Sequence, residues 1–312
     1  MTDRLAYDPN SRAVQLDPYP IYAALREHAP VFRVESARAW AISRYADVTE
    51  VLKSPDIFSS SSMQNFMTSG ATQGAMDPLR VLSDRRMSGI TRAAGRLSDA
   101  LGLRSPILDA VQLLGKRSMV SADPPDHTRL RHLVNRGFTP RRIAALEPRI
   151  REIARDCLAA LGDRNEIDLM RDFAVPLPVI VIAELLGVPI DRRGDFKRWS
   201  DAVVQGVSPG NAVTRSREST AVMFEFVTFL RDLIEERRRR LGDDLISVLI
   251  RDEAEGKLDV HEMMLFTLLL LVAGNETTTN LIGNAVHLLL DRPDDLTTVA
   301  EHAELIPGLI EE

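Results

Sequence analysis

LFTLLLLVAGNETTTNLIGNAVHLLL, residues Leu265 to Leu290, is apolar at both ends and holds at its centre a glycine, an acid, three consecutive threonines and two asparagines. The flanks read as one long buried helix, yet none of those central residues is favoured by helix propensity. Gly274 removes a side chain, so a flat ligand or another backbone can approach the helix there. Glu276, Asn280, Asn284 and His287 follow one another at spacings of four, four and three, which sets them in one polar stripe. Thr277 and Thr278 are placed to bond back to carbonyls a turn earlier, which predicts a bend and entry of water into the opened ladder. An acid beside an alcohol inside an apolar helix suggests a proton path. An amphipathic helix with its wet face outward accounts for the stripe, but not for the glycine or the threonine cluster.

A second cluster lies in SADPPDHTRLRHLVNRGFTPRR, Ser121 to Arg142. Asp123 is suited to cap a helix whose first positions are Pro124 and Pro125, and Gly137 to end it, so that His127 and Arg131 share a face. From His127 to Arg142 there are five arginines and no acid, in a chain of formal net charge −6. A guanidinium and an imidazole together suit an anion. A basic helix facing water is the competing reading of this segment.

Outward from these clusters, the 312 residues are enough to bury a large core, and the negative charge argues against a general nucleic-acid binder. The single cysteine, Cys157, excludes an internal disulfide and fits a reducing cytoplasm. MTDRLAYDPN has no apolar signal region, and the unbroken apolar run Leu268–Ala273 is too short for a bilayer, so no membrane anchor is expected. DPYPIYAALREHAP and ADVTEVLKSP read as helices around two short strands, Val31–Val34 and Ala39–Ser43. From about 125 onward the periodicity is helical, which makes the fold mainly α with a small β region near the start. VPLPVIVIAELLGVP (175–189) reads as a buried helix, and Met223, Phe226, Leu230, Leu233 and Ile234 as one buried face. The arginines 237–240, flanked by acids, read as a solvated helix end. Residues 59–77 form either a mobile lid or a passive insertion, and Met87, Ile90, Ala94, Leu97 and Leu101 beyond them fall on one helical stripe.

Two separated motifs carry a family resemblance. AGNET at 273–277 resembles the oxygen-activation motif in the long central helix of the cytochrome P-450 haem-thiolate monooxygenases, and DPPDHTRLR at 123–131 resembles their haem-propionate helix. WAISRYADVTEVLKSPDIFSS (40–60), GDDLISVLI (242–250) and RPDDL…ELIPGLIEE (292–312) are similar to the family's soluble bacterial branch, in the same order. The resemblance implies one cytochrome P-450-like prism over residues 1–312, incomplete at the C-terminus, with a long variable lid-like segment at 61–118 and a central helix at 260–291. It implies that His127 and Arg131 bind the propionates of haem b, that Ala273 and Gly274 lie over its plane, and that the catalytic pair Glu276 and Thr277 guides protons. It also implies a cytoplasmic enzyme that uses O2, a soluble ferredoxin and reductase as electron donor, and a mainly apolar small-molecule substrate, with no nucleic-acid or membrane partner.

The family's pattern continues with a Glu-x-x-Arg signature, of which Glu312 is the first residue, and with a loop carrying the axial cysteine. Neither the arginine nor that loop is in these residues. The expectation is therefore a monooxygenase sequence truncated before its thiolate, with no metal ligand of its own and inactive as printed. The alternative is a noncatalytic helical binding protein or degenerate relative. Cys157, on an apolar helical face with Ile150, Ile153 and Leu161, reads as a small hydrophobe and not as a replacement ligand.

Overall fold

The computed structural model describes residues 5–9, 11–61, 109, 113, 116, 118–207, 217–254 and 258–311. The stripe Met87–Leu101 and nearly all of the 61–118 segment, including the loop beyond Ser61, lie outside the described residues. Helices α1 (Arg12–Leu16) and α2 (Tyr19–His28) lead into an antiparallel pair, β1 (Val31–Val34) on β2 (Ala39–Ile42), followed by α3 (Tyr45–Lys53). Val31 faces Ile42 and Val34 faces Ala39, so the short β region sits where the sequence put it. The chain is thereafter helical: α4 (Asp126–Gly137), α5 (Pro140–Ala159), a π-helical turn (Met170–Ala174), α6 (Pro176–Leu185), α7 (Arg193–Val207) and α8 (Arg217–Arg239). Then come α9 (Leu245–Ala254), α10 (Val260–Leu290), α11 (Pro293–Glu301) and α12 (Ile306–Glu311).

The core lies among α6, α7, α8 and α10. Helix α6 is apolar apart from Glu184 and buries Val179, Ile182 and Ala183, and it is enclosed by neighbours on more than one side. Trp199 of α7 stacks on Phe226 of α8 at 5.4 Å between ring centroids, and Phe196 meets the same ring edge-on at 5.9 Å. Burial of each such large side chain contributes about 1.5–3 kcal/mol. The face expected on α8 is present: Phe226, Leu230, Leu233 and Ile234 are buried, with Met223 packed at their margin.

A Schellman-type stop ends α6. Gly187 adopts φ 73°, its N–H reaches Glu184 O at 3.0 Å, and Val188 N–H reaches Ala183 O at 2.8 Å. Arg237 closes this corner by donating to Gly187 O at 2.7 Å and to the Asp244 carboxylate at 2.5 Å. That corrects the reading of all four arginines as a solvated end. Arg237 instead meets a carbonyl and a carboxylate that the α6 stop brings to it, while Arg239 is exposed.

Helix α10 starts in a capping box: the Asp259 side chain accepts from His261 N and Glu262 N, and Glu262 accepts from Asp259 N at 3.0 Å. Lys116 pairs with the same Asp259 carboxylate. Burial works to raise the Asp259 pKa, and the hydrogen bonds and charge around it outweigh that and hold it below the usual carboxylate range. The helix then runs unbroken for 31 residues and stops at Leu290, with Asp291 as its C-cap. Of the expected back-bonds, that of Thr277 is present. Thr277 Oγ1 donates to Ala273 O at 2.5 Å without interrupting the helix, because a carbonyl oxygen has a second lone pair for it. Among the described residues α10 is the one helix long and apolar enough to cross a bilayer. In the fold it packs on α6, α7, α8 and the π-helical turn.

Candidate functional site

The polar residues of α10 divide between two faces. Leu271, Asn275 and Thr279, four apart, are buried. Asn275 Nδ2 donates to Ser200 Oγ on α7 at 3.0 Å. Thr279 Oγ1 lies 3.0 Å from Ala174 O in the π-helical turn and 3.2 Å from Asn275 Oδ1. On the opposite face Ala273, Glu276, Thr277, Asn280, Asn284 and His287 are all exposed, so the predicted stripe is one continuous strip. Glu276 forms no ion pair among the described residues, and His287 approaches Asp291 only to 3.9 Å. Gly274 stands on the flank between the faces, where an added Cβ would meet Ile182 Cδ1 of α6 at 3.0 Å. The glycine thus admits the side chain of a neighbouring helix.

Helix α4 begins at Asp126, later than the sequence implied, with Pro125 as an N-cap that makes no side-chain bond. Asp123 is not its cap. Its carboxylate accepts from Ser60 N at 2.7 Å on one oxygen and from Ser59 Oγ on the other, two donors more than 60 residues earlier in the chain. The arginine cluster is divided as well. Arg129 makes a two-pronged bond to Glu262 at 2.5 and 3.3 Å, a contact that raises the Arg129 pKa and ties α4 to the start of α10. Arg142 donates to Asp243 O at 3.3 Å. Leu130, Leu133 and Gly137 face inward. Half-buried His127 and exposed Arg131 make no hydrogen bond or ion pair among the described residues. They remain two donors on one flank of α4, and no hydrogen bond joins them to the strip on α10.

Reading along the sequence missed Ser200, the inward direction of Asn275 and Thr279, and the pairing of Arg129 with Glu262. The spacing of Leu271, Asn275 and Thr279 was the available signal for the inward row, since four residues return a helix to nearly the same face. Cys157 is buried on α5 beside Ile153, and burial, then the Asp156 charge, push its thiol pKa up.

No family model matches the chain. Curated relatives do. Cytochrome P450 107B1 of Saccharopolyspora erythraea is 38% identical over 314 residues, which is 99% of this chain and 67% of that protein. The vitamin D(3) 25-hydroxylase of Pseudonocardia autotrophica is 38% identical over 300 residues, 95% of this chain and 63% of that protein. The crystal structure of CYP109E1 from Bacillus megaterium in complex with testosterone matches with a TM-score of 0.70 at 33% identity, over 95% of this chain and 65% of that one. The chain belongs to the cytochrome P450 family, and these relatives are bacterial. It spans about two thirds of their length. Membership implies haem iron as the cofactor.

Proposed function

We propose that this chain serves haem-dependent monooxygenation, in which one atom of O2 enters a mainly apolar small molecule. The observation that carries this reading is the division of α10: its buried polar residues are used up in packing, while Ala273, Glu276 and Thr277 stay together on an exposed strip. When bound, haem supplies the iron at which dioxygen is activated. His127 and Arg131, two donors without partners among the described residues, suit the propionates. Ala273, small and on the exposed strip, leaves room beside a flat ring, and Gly274 next to it lets α6 pack close behind. Glu276, open to water, takes up protons, and Thr277 Oγ1 turns its hydrogen from the Ala273 carbonyl towards the reacting face. The steroid-sized apolar molecules in the names of two relatives support an apolar substrate here. A soluble ferredoxin and reductase as electron donor, and a cytoplasmic site with no nucleic-acid or membrane partner, complete the proposal.

Cys157 does not fit the axial position, because it is buried on α5 with a raised thiol pKa, whereas iron takes the thiolate. A noncatalytic helical binding protein is the second reading, favoured if haem is not taken up. The test is to purify residues 1–312, titrate haem, reduce, add carbon monoxide and record the spectrum. Wild type should bind haem. His127→Ala with Arg131→Ala should weaken binding about tenfold, since bonds to charged groups contribute about 1.5–3 kcal/mol each and the exposed Arg131 less. Equal affinity would return α4 to a water-facing basic helix. No thiolate-type spectrum is expected, and one that disappears in Cys157→Ser would overturn the assignment of Cys157 to packing.

A further inference from the structure

We infer that Ser200, Asn275 and Thr279 are positioning residues, a buried hydrogen-bonded link that sets the rotation of α10 so that Ala273, Glu276 and Thr277 face the reaction. The meaning of that strip rests on the proposed function, whereas the link itself rests on geometry. Asn275 sits between Gly274 and Glu276, so whatever fixes its direction fixes theirs. Around it α10 is held by apolar contacts to α6, α7 and α8, which are non-directional and tolerate small slides and rotations. The polar contacts do not. Ser200 Oγ and Ala174 O lie on two different elements, and each meets α10 at 3.0 Å. A shift of about 0.6 Å would take either contact beyond hydrogen-bond length. The anchors enter α10 one turn apart, at Asn275 and Thr279, so together they constrain both its rotation and its axial position. Their burial makes a lost partner costly, because Ser200, Asn275 and Thr279 are all almost wholly withdrawn from water.

Helix α10 supplies its own control. Thr267 is equally buried, but among the described residues its hydroxyl bonds only to Met263 O of the same helix, at 3.0 Å. Thr267→Val and Thr279→Val therefore delete the same group from the same helix, and only the second removes an anchor to a neighbour. The test measures hydrogen exchange of the α10 amides and haem affinity in both variants, in Thr279→Ser and in Asn275→Leu. Thr279→Val and Asn275→Leu should speed exchange at Ala273–Thr277 and weaken haem binding, each by about threefold or more, a size typical of coupled neighbours. Thr279→Ser should restore both, and Thr267→Val should lower the unfolding temperature while leaving both near wild type. Equal effects of Thr267→Val and Thr279→Val would overturn the positioning role and reduce the link to ordinary stability. If wild type takes up no haem, the proposed function fails, and the exchange comparison still decides whether the link positions the strip.

Discussion

Gly274→Ala asks why a glycine stands in the middle of the longest helix. Helix propensity alone favours alanine by about 0.8–1 kcal/mol. The new Cβ would lie 3.0 Å from Ile182 Cδ1 and 3.7 Å from Ile182 Cγ1, so one atom is too close and the other in ordinary contact. Ile182 is only 5% exposed and belongs to the buried apolar core, so moving Cδ1 aside disturbs packed neighbours. Overpacking of this kind costs about 1–3 kcal/mol, so the propensity gain is outweighed and a net loss of about 1 kcal/mol is expected. Ile182→Val removes the offending Cδ1 and alone costs about 0.5–1.5 kcal/mol. In that background Gly274→Ala should become stabilising by about 1 kcal/mol, which makes the coupling about 2 kcal/mol in the double-mutant cycle. Urea unfolding of the four proteins measures it, as shifts in midpoint at a common slope. If Gly274→Ala changes stability by the same amount in both backgrounds, the close approach of α6 is not the reason for the glycine.

Two further outcomes can be checked by unfolding. Asp172 in the π-helical turn has its pKa held at about 2 against a usual 3.8, first by the Arg171 hydrogen bond and also by the Asp168 N–H and Arg164, with burial opposing. Its folded pKa is depressed, so its contribution is present above about pH 4 and lost as pH falls towards 2; the stability gap between wild type and Asp172→Asn should narrow across that window, and a constant gap would refute it. Gly187→Ala should lose about 2 kcal/mol or more, since φ 73° strains an L-residue and its Cβ would lie 2.6 Å from Asp244 Oδ2 and 2.8 Å from an Arg237 guanidinium nitrogen. A thermal midpoint within about a degree of wild type would refute that account.

Much of this protein was legible in the sequence by itself. The two strands, the helical run Leu265–Leu290 within α10, the buried face of α8 and the exposed row Glu276, Asn280, Asn284 and His287 all follow from periods of two and 3.6, because a period says which residues share a face. The AGNET and DPPDHTRLR motifs carried the family for the same local reason: their residues are contiguous. What a period does not contain is the neighbour that a face will meet. Asn275 finds Ser200 at a separation of 75 residues, Thr279 finds Ala174 at 105, and Arg129 finds Glu262 at 133. Those partners exist only once the helices are packed at their particular angles. Asp123 was misread as a cap because its local role was plausible and its distant one, holding Ser59 and Ser60, was invisible. The same applies to the continuity of α10, whose residues of poor propensity stay helical where Asn275 and Thr279 find buried partners and Gly274 admits Ile182. Local sequence determined which elements form and which way they face. Tertiary packing decided which polar groups are used up inside the fold, and so which are left for chemistry, because a buried polar group must find its partner wherever the fold brings one.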